Sequence, residues 1–413
     1  MGKYQLREVK TAADARKFIR MAERIYQNDP MWVQPLDPDI ENVFNPQKNP
    51  LFHDGEAIRW TLHDASGAIV GRIAAFYNRE LSANEPQPTG GCGFFECIDD
   101  QEAANTLFNA AREWLAARGL EAMDGSINFG DRMQWWGVLV EGFTLPLYGM
   151  NYNPPYYARL FETYGFQNYF NQHTYLRRMI VHTMPEALYQ KADRLFANPD
   201  YRFDHVDLSD KRKVARDLME VYNSGWATFS GVKPMEFEHA LQMVNTLAPV
   251  VDPEVLYFAF HKEKAIGFFV MIPDLNLLIR DFRGRFGLWQ KLKLLWRLKV
   301  RKQSDRLFGL VFGVAAEFQG RGVEAGMIRR FEQYVETHPD RYNSLEIAWI
   351  GDFNPLMMRV AESYVRAEKY KRHVTYRYLF DRTKPFERAP KLGKAKPKPA
   401  PASSTENPDN AKQ

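Results

Sequence analysis

Read for hydrophobic periodicity, the chain spells one order of elements twice. In the first half, Tyr4 to Val9 reads as a short strand, and Thr11 or Asp14 is placed to cap a helix running to about Tyr26. A proline-bearing loop from Gln27 to Asp54 is longer than most connections. Two apolar runs, 57–63 and 68–76, flank Asp64-Ala65-Ser66-Gly67, the pattern of an antiparallel hairpin. A strand over 93–98 follows. Asp99 with Glu102 predicts a capping box for a helix that buries Leu107, Phe108, Ala111 and Leu115 and stops at Gly119. Ala122-Met123 opens a further strand, and a helix is predicted from about Pro155 to Tyr164.

The second half repeats the order. Tyr201 to Val206 is a strand, and Ser209 or Asp210 caps a helix through about Tyr222. Runs 255–260 and 265–271 flank the turn His261-Lys262-Glu263-Lys264. The apolar run 307–314 is too short for a buried helix and rich in strand formers. It turns through 315–322, after which Val323, Met327, Phe331, Tyr334 and Val335 recur at helical spacing. A strand over 344–350, a helix from Asn354-Pro355 to about Lys369, and a strand over 374–380 close the copy. The repeat is one of element order, not of residue identity. It divides the chain into an N-terminal α+β domain (1–182), a linker (183–200) and a C-terminal α+β domain (201–383).

Two stretches fall outside the repeat. Residues from about 274 to 306 form an insertion whose middle, 287–302, reads as a basic amphipathic helix. Leu288, Leu292, Leu295 and Trp296 share one face, and Lys291, Lys293, Arg297, Lys299, Arg301 and Lys302 ring the rest. Such a helix either packs on its own domain with lysines reaching water, which is the reading adopted, or makes peripheral contact with an anionic membrane. Residues 384–413 are rich in Lys, Pro, Ala and Ser, too poor in apolar surface to fold, and read as a disordered basic tail.

Composition narrows the class. A chain of 413 residues with 45% hydrophobic and 14% aromatic content can build real cores. A net charge of +4, from 55 basic and 51 acidic residues, is no nucleic-acid signature, so no specific nucleic-acid partner is expected. Cys92 and Cys97 supply neither a metal quartet nor a disulfide framework, and no metal is expected. With no cleavable leader pattern and no run of about 18 uncharged apolar residues, the expected location is cytoplasmic.

The chemistry concentrates at the strand–turn–helix of the second copy. Backbone amides from Gln319 through Gly320, Arg321, Gly322, Val323 and Glu324 to Ala325 form an anion cradle, with glycines admitting close approach to a diphosphate. Neither Gly-x-x-x-x-Gly-Lys-Ser/Thr nor Gly-x-Gly-x-x-Gly occurs there. The loop resembles the acetyl-CoA-binding motif of the GNAT acyltransferase superfamily, Gln/Arg-x-x-Gly-x-Gly/Ala. Gln319 and Gly322 match, while Glu324 stands where a second small residue belongs. The chain is also similar to a group of bacterial two-domain GNAT-like proteins, through Tyr152-Asn153-Pro154-Pro155-Tyr156-Tyr157 with Gly165-Phe166, and Asp352-Phe353-Asn354 with Ala361-Glu362.

That resemblance implies two tandem GNAT-like domains, each a mixed, mostly antiparallel sheet flanked by helices. It implies acetyl-CoA or another acyl-CoA as co-substrate in the C-terminal copy, with the backbone of Gly313 and Val314 along the pantetheine, and transfer of the acyl group to an amine. Acidic residues at 99–102 crowd the corresponding helix start of the first copy, which therefore reads as degenerate. Glu346 and Glu317 are the candidate bases. The family's acidic tyrosine position holds Ala361, which leaves Tyr364 as the nearest proton donor; Asn354 is a helix cap or a cofactor contact, and His373 reads as a surface residue. The acceptor is a small-molecule or lipid-like amine. Two alternatives stay open: a non-catalytic acyl-CoA-binding or regulatory protein, and a membrane-associated long-chain acyl or aminoacyl transferase.

Overall fold

The computed structural model describes residues 2–179, 181, 184–225 and 234–391. The expected boundary at 182/183 and most of the expected tail, 392–413, lie outside the described residues.

The strands are β1 (Tyr4–Glu8), β2 (Gly55–Asp64), β3 (Ile69–Asn78), β4 (Thr89–Cys97), β5 (Ala122–Gly125), β6 (Val138–Glu141), β7 (Gln167–Arg178), β8 (Tyr201–His205), β9 (Tyr257–His261), β10 (Lys264–Pro273), β11 (Arg306–Val314), β12 (Ser344–Gly351) and β13 (Glu368–Leu379). The helices are α1 (Ala12–Ile25), α2 (Asp37–Val43), α3 (Arg79–Ala83), α4 (Gln101–Ala116), α5 (Tyr157–Tyr164), α6 (Glu186–Phe196), α7 (Lys211–Gly225), α8 (Phe237–Leu247), α9 (Asn276–Ile279), α10 (Leu288–Leu295), α11 (Val323–Thr337) and α12 (Pro355–Arg359). Local signals explain many of their ends. Thr11 and Asp14 form a reciprocal capping box on α1. Asp210 accepts from the Lys213 amide at the start of α7. Gly165 ends α5 in the left-handed region at φ 113°.

Both expected hairpins are present, β2–β3 and β9–β10, and each leads into a strand that bulges at the same place. On β4 the extra residue against β3 falls near Phe94, after the parallel pairing to β5 has ended at Gly91–Asp124. On β11 it falls at Leu310 against β10, after the parallel pairing to β12 has ended at Gly309–Ile347. A bulge turns a strand away from its neighbour, so each copy contains a point where two parallel strands part.

The copies do not close separately. The strands form one sheet in the order β1-β2-β3-β4-β5-β13-β7-β12-β11-β10-β9-β8, with β6 also on β13. Strand β7, last of the first copy in sequence, lies beside β12 of the second; β13, last of the second, lies beside β5 of the first. The two exchanged strands pair with each other from Glu368–Leu176 to Arg377–Gln167. Val374, Tyr376 and Tyr378 of β13 consequently sit in the N-terminal core with Phe108, Phe161 and Phe166.

Several expected boundaries change. The span read as a linker contains helix α6, whose Leu188, Ala192 and Leu195 are buried; their i, i+4, i+7 spacing makes one apolar face. The helix predicted from Asn354 to Lys369 stops early: α12 passes into a π turn, 360–364, and β13 starts at Glu368 to complete the sheet. The cap of α4 is Asp100, not Asp99. Strand β4 begins four residues before the predicted start because its glycines fit a crowded sheet: a Cβ on Gly93 would lie 1.6 Å from the Ile127 carbonyl oxygen.

Candidate functional site

The candidate site in the second copy lies where β11 leaves β12. From Leu310 to Val314 one edge of β11 still pairs with β10, through Phe312–Phe269, Gly313–Phe268 and Val314–Gly267. Its other edge has lost β12, so apart from the Val314 carbonyl the backbone groups on that side meet no partner among the described residues and can pair with an extended ligand. The chain then turns through a short 3-10 helix, 316–318, and reaches α11. Gly320 (φ 75°) and Gly322 (φ 95°) both hold left-handed conformations that side-chain-bearing residues seldom adopt. The Gln319 side chain donates to the Val314 carbonyl at 3.1 Å and braces the loop against the strand end.

Gly322 is the N-cap of α11, and no side chain caps that helix. The amides of Val323, Glu324 and Ala325 therefore have no acceptor within the helix. The matching helix of the first copy differs: the Asp100 carboxylate accepts from the Ala103 amide at 2.9 Å and is itself paired to Lys3 at 2.7 Å. Its parting point is also filled. The Ile127 amide reaches the Cys92 carbonyl at 2.9 Å, and Phe94, Ile127, Phe129 and Trp135 pack into one buried cluster there.

Sequence reasoning missed a cation at the loop. Lys191 of α6 lies against Gly322: a Cβ there would sit 3.2 Å from the Lys191 Cβ. The signal was the amphipathic pattern of 186–196, which places Lys191 beside the buried Leu188 and Ala192. Arg321 is exposed next to it, with its guanidinium 5.4 Å from the Phe318 ring. Glu324 is half-buried in the first turn and has no ion pair among the described residues. The residues fit a diphosphate: an uncapped helix start, two glycines that expose backbone, and two cations.

The other predicted residues scatter. Gly313 and Val314 join the loop. Asn354 caps α12, its Oδ1 accepting from the Met357 amide at 3.3 Å. Tyr364 is half-buried against the apolar cluster of α6 and α12, and its hydroxyl meets no partner among the described residues. Glu317 is on the surface and ion-paired to Lys264 at 2.5 Å. The hydrogen bond from Lys264 lowers its pKa, which weakens it as a base. Glu346 is fully buried on the paired side of the parting point, opposite Phe308. It accepts from Lys371 Nζ at 2.6 Å and Thr174 Oγ1 at 3.0 Å, and Arg306 lies 3.5 Å away. Arg306 also grips the buried Asp274. Burial pushes the Lys371 ammonium pKa down while Glu346 draws it up. This network ties β7, β11, β12 and β13 together, and Glu346 is committed to it.

On the opposite side of the sheet from α11, a crevice runs between Phe308 of β11 and Trp349 of β12, walled by Met133, Trp135, Trp136 and Met150 from the first copy. Arg132, Asn151, Gln172 and His373 supply polar groups to its lining. Gln172 of β7 accepts from Thr375 at 2.9 Å, but its amide nitrogen has no partner among the described residues, nor has Trp136 Nε1. His373 of β13, expected at the surface, is buried in this wall. Its Nε2 is 2.9 Å from the Asn151 carbonyl, which makes that nitrogen the donor and leaves Nδ1 with the lone pair. Burial pushes its pKa down to about 4, against the hydrogen bond to Asn151, which raises it. No local pattern around 373 announces this burial, because β13 reaches it only through the exchange of strands.

The histidine gives a pH prediction. Its folded pKa of about 4 lies below the ordinary 6.5, so the unfolded chain binds the extra proton and stability falls as pH drops across that window. The loss should approach about 3 kcal/mol by pH 4, at roughly 1.4 kcal/mol per unit. Urea midpoints across this range should fall less steeply for His373→Asn than for the parent; equal slopes would show that another group dominates.

No family model matches the chain. Among curated proteins it is 29% identical over 378 residues to the bacterial ceramide synthase of Caulobacter vibrioides, covering 89% of this chain and 95% of that protein. It is 28% identical over 371 residues to protein YghO of Escherichia coli, covering 88% and 92% respectively. Among solved structures, a tandem GNAT protein from the clavulanic acid biosynthesis pathway superposes on 93% of this chain and 100% of its own, with a TM-score of 0.53 at 13% identity. The GCN5-related glucosamine N-acetyltransferase region of a fungal multi-domain β-N-acetylglucosaminidase superposes on 92% of this chain, with a TM-score of 0.54 at 12% identity; this chain spans 38% of that larger protein. The fold is the tandem GNAT fold, two α+β copies sharing one mixed sheet. Among the described residues no group of His, Cys, Asp and Glu forms a metal site, and no helix is long and apolar enough to cross a membrane.

Proposed function

We propose that the chain is an acyl-CoA-dependent N-acyltransferase that passes a long acyl group to a lipid-like amine. The observation that carries this reading is the parting of β11 from β12 directly above an uncapped, glycine-gated helix start. The first-turn amides of α11, with Lys191 and Arg321, bind the CoA diphosphate. The open edge of β11 from Leu310 to Val314 takes the pantetheine, and its N–H groups polarise the thioester carbonyl. The amine attacks that carbonyl carbon; the C–N bond forms, the C–S bond breaks, and CoA leaves as thiolate to be protonated. The proton the amine sheds passes to water, because Glu346 is committed to its ion pair and burial holds the His373 pKa at about 4, too low for an effective base. Tyr364 on the α12 side is the candidate donor to the thiolate.

The crevice has room for about one water, so it can take at most the amino head of an acceptor, with the apolar chain outside it. The relative named a ceramide synthase fits the same chemistry, since ceramide is an N-acylated long-chain amino alcohol. In this reading the first copy binds no acyl-CoA. It completes the sheet and walls the acceptor side, because its parting point is plugged by Ile127 and its helix start is capped by Asp100.

Calorimetric titration of the full chain with acetyl-CoA and with palmitoyl-CoA tests the donor. Saturable binding is expected, tighter for the long chain; no heat with either would overturn the reading.

A further inference from the structure

The insertion between β10 and β11 is not absorbed by the acyltransferase reading. Its helix α10 continues through a π turn, 296–300, and turns only a narrow strip inward. Leu294 and Leu298 are buried against Leu36, Leu278, Ile279 and Phe282. Periodicity puts Leu288, Leu292, Leu295 and Trp296 on one face, the face expected to pack. The face is correct, but it points away from the protein. Leu288 is 75% exposed, Trp289 77%, Trp296 49% and Val300 69%, with Leu292 and Leu295 beside them. These six account for most of the large exposed hydrophobics among the described residues. Such a continuous apolar face on a soluble surface marks a contact site.

The charge around it selects the partner. Between Arg283 and Ser304 there are eight Lys or Arg and no Asp or Glu. At 100° per residue, Lys291 and Lys293 flank the apolar arc on its two sides. Asp281 neutralises part of this charge by pairing with Lys293 and Arg297 on the inner flank. Lys291 and Arg301 are exposed without an ion pair among the described residues, and Arg301 sits over the Trp296 ring at 5.5 Å. Tryptophans and leucines projecting from a ring of cations match the boundary between acyl chains and anionic headgroups. A nucleic-acid ligand would meet the cations but leave the protruding Trp289 and Leu288 in water. A second copy would bring two like-charged rims together.

We propose that α10 and the π turn that continues it form a membrane-docking helix that seats this protein on an anionic lipid bilayer through Leu288, Trp289, Leu292, Trp296 and Val300. The insertion packs beside Leu145 and Tyr148. The 145–150 segment continues to Met150 in the wall of the acceptor crevice. Docking would therefore place that crevice near the lipid phase. The inference does not depend on the acyltransfer reading, because it rests on surface exposure and charge alone.

Flotation of the full chain with vesicles tests it. Vesicles of equal parts phosphatidylcholine and phosphatidylglycerol should carry the protein to the top of the gradient; phosphatidylcholine alone should carry much less, and added salt should weaken the anionic binding. The double variants Trp289→Ser with Trp296→Ser, and Lys291→Glu with Arg301→Glu, should each reduce binding about tenfold or more. All four side chains are exposed, so thermal melting should stay near the parent's. Leu356→Ser, at another exposed apolar site, should float normally. No flotation with either vesicle overturns the proposal, as does flotation that both double variants retain. A dimer lost in the tryptophan variant without flotation would assign the face to a second copy. Oligonucleotide binding lost only in the charge variant would assign it to nucleic acid.

Discussion

Expressed alone, residues 1–182 will not form a cooperatively folded domain, whereas co-expression with 183–413 will return a stable complex of the two pieces. The reason is strand exchange. The N-terminal core contains Val374, Tyr376 and Tyr378 from the far end of the chain. Tyr376 stacks on Phe161 at 5.6 Å between ring centroids and donates to Glu162 at 2.7 Å. Arg377 forms a two-bond contact with Asp124 of β5, at 2.6 and 2.9 Å. Removing β13 empties the sites of two large aromatics, each worth about 3–5 kcal/mol when truncated to alanine. It also exposes both the β5 edge and the β7 edge. That loss, about 6–10 kcal/mol for the two aromatics before the bared edges are counted, is as large as the margin of about 5–15 kcal/mol by which a domain is folded. Size-exclusion chromatography and urea unfolding of the fragment check it. A monomeric fragment with a sharp transition would show that the exchange is dispensable.

Gly322→Val will weaken acyl-CoA binding severely while leaving the protein folded. Gly322 holds φ 95°, a conformation in which a β-branched residue is a severe outlier, at roughly 1–2 kcal/mol for the left-handed region alone. The new Cβ would also press on Lys191 at 3.2 Å. The loop must move to relieve this, and the first-turn amides of α11 move with it. Affinity for palmitoyl-CoA should fall by about a hundredfold or more, the scale of losing two or three charge-assisted hydrogen bonds. Gly67→Val is the matched control: φ 83° imposes the same strain in the β2–β3 turn, nothing lies within 4 Å, and binding should be unchanged. Lys191→Glu should weaken binding and Glu324→Gly should strengthen it, since one adds and the other removes negative charge at the same helix start. Equal affinity for Gly322→Val and the parent would place the diphosphate elsewhere.

What could be read from the sequence was local. The two hairpins, the helix caps at Thr11 and Asp210, and the strand–glycine–helix at 306–335 all rest on residues close in the chain, and each is present. The amphipathic face of α10 was legible too, but its direction was not, because periodicity identifies a face without saying what it meets. Exchange of β7 and β13 has no local signature; a strand's alternation is the same whichever copy it completes. Everything that depends on the exchange was therefore hidden. Glu346 reads as a free carboxylate until Lys371 and Thr174 arrive from the two exchanged strands. His373 reads as a surface residue until Asn151 closes over it. Lys191 lies in the span read as a linker, although the apolar spacing in 186–196 marks helix α6.

The central claim is that this chain joins an acyl group to a long-chain amine at the parting of β11 and β12. The direct measurement is mass-spectrometric analysis of the purified full chain incubated with palmitoyl-CoA and a long-chain amino alcohol. The expected result is one amide formed per CoA released, lost in Gly322→Val. Release of CoA without amide, or no reaction by a folded protein that binds palmitoyl-CoA, would contradict it.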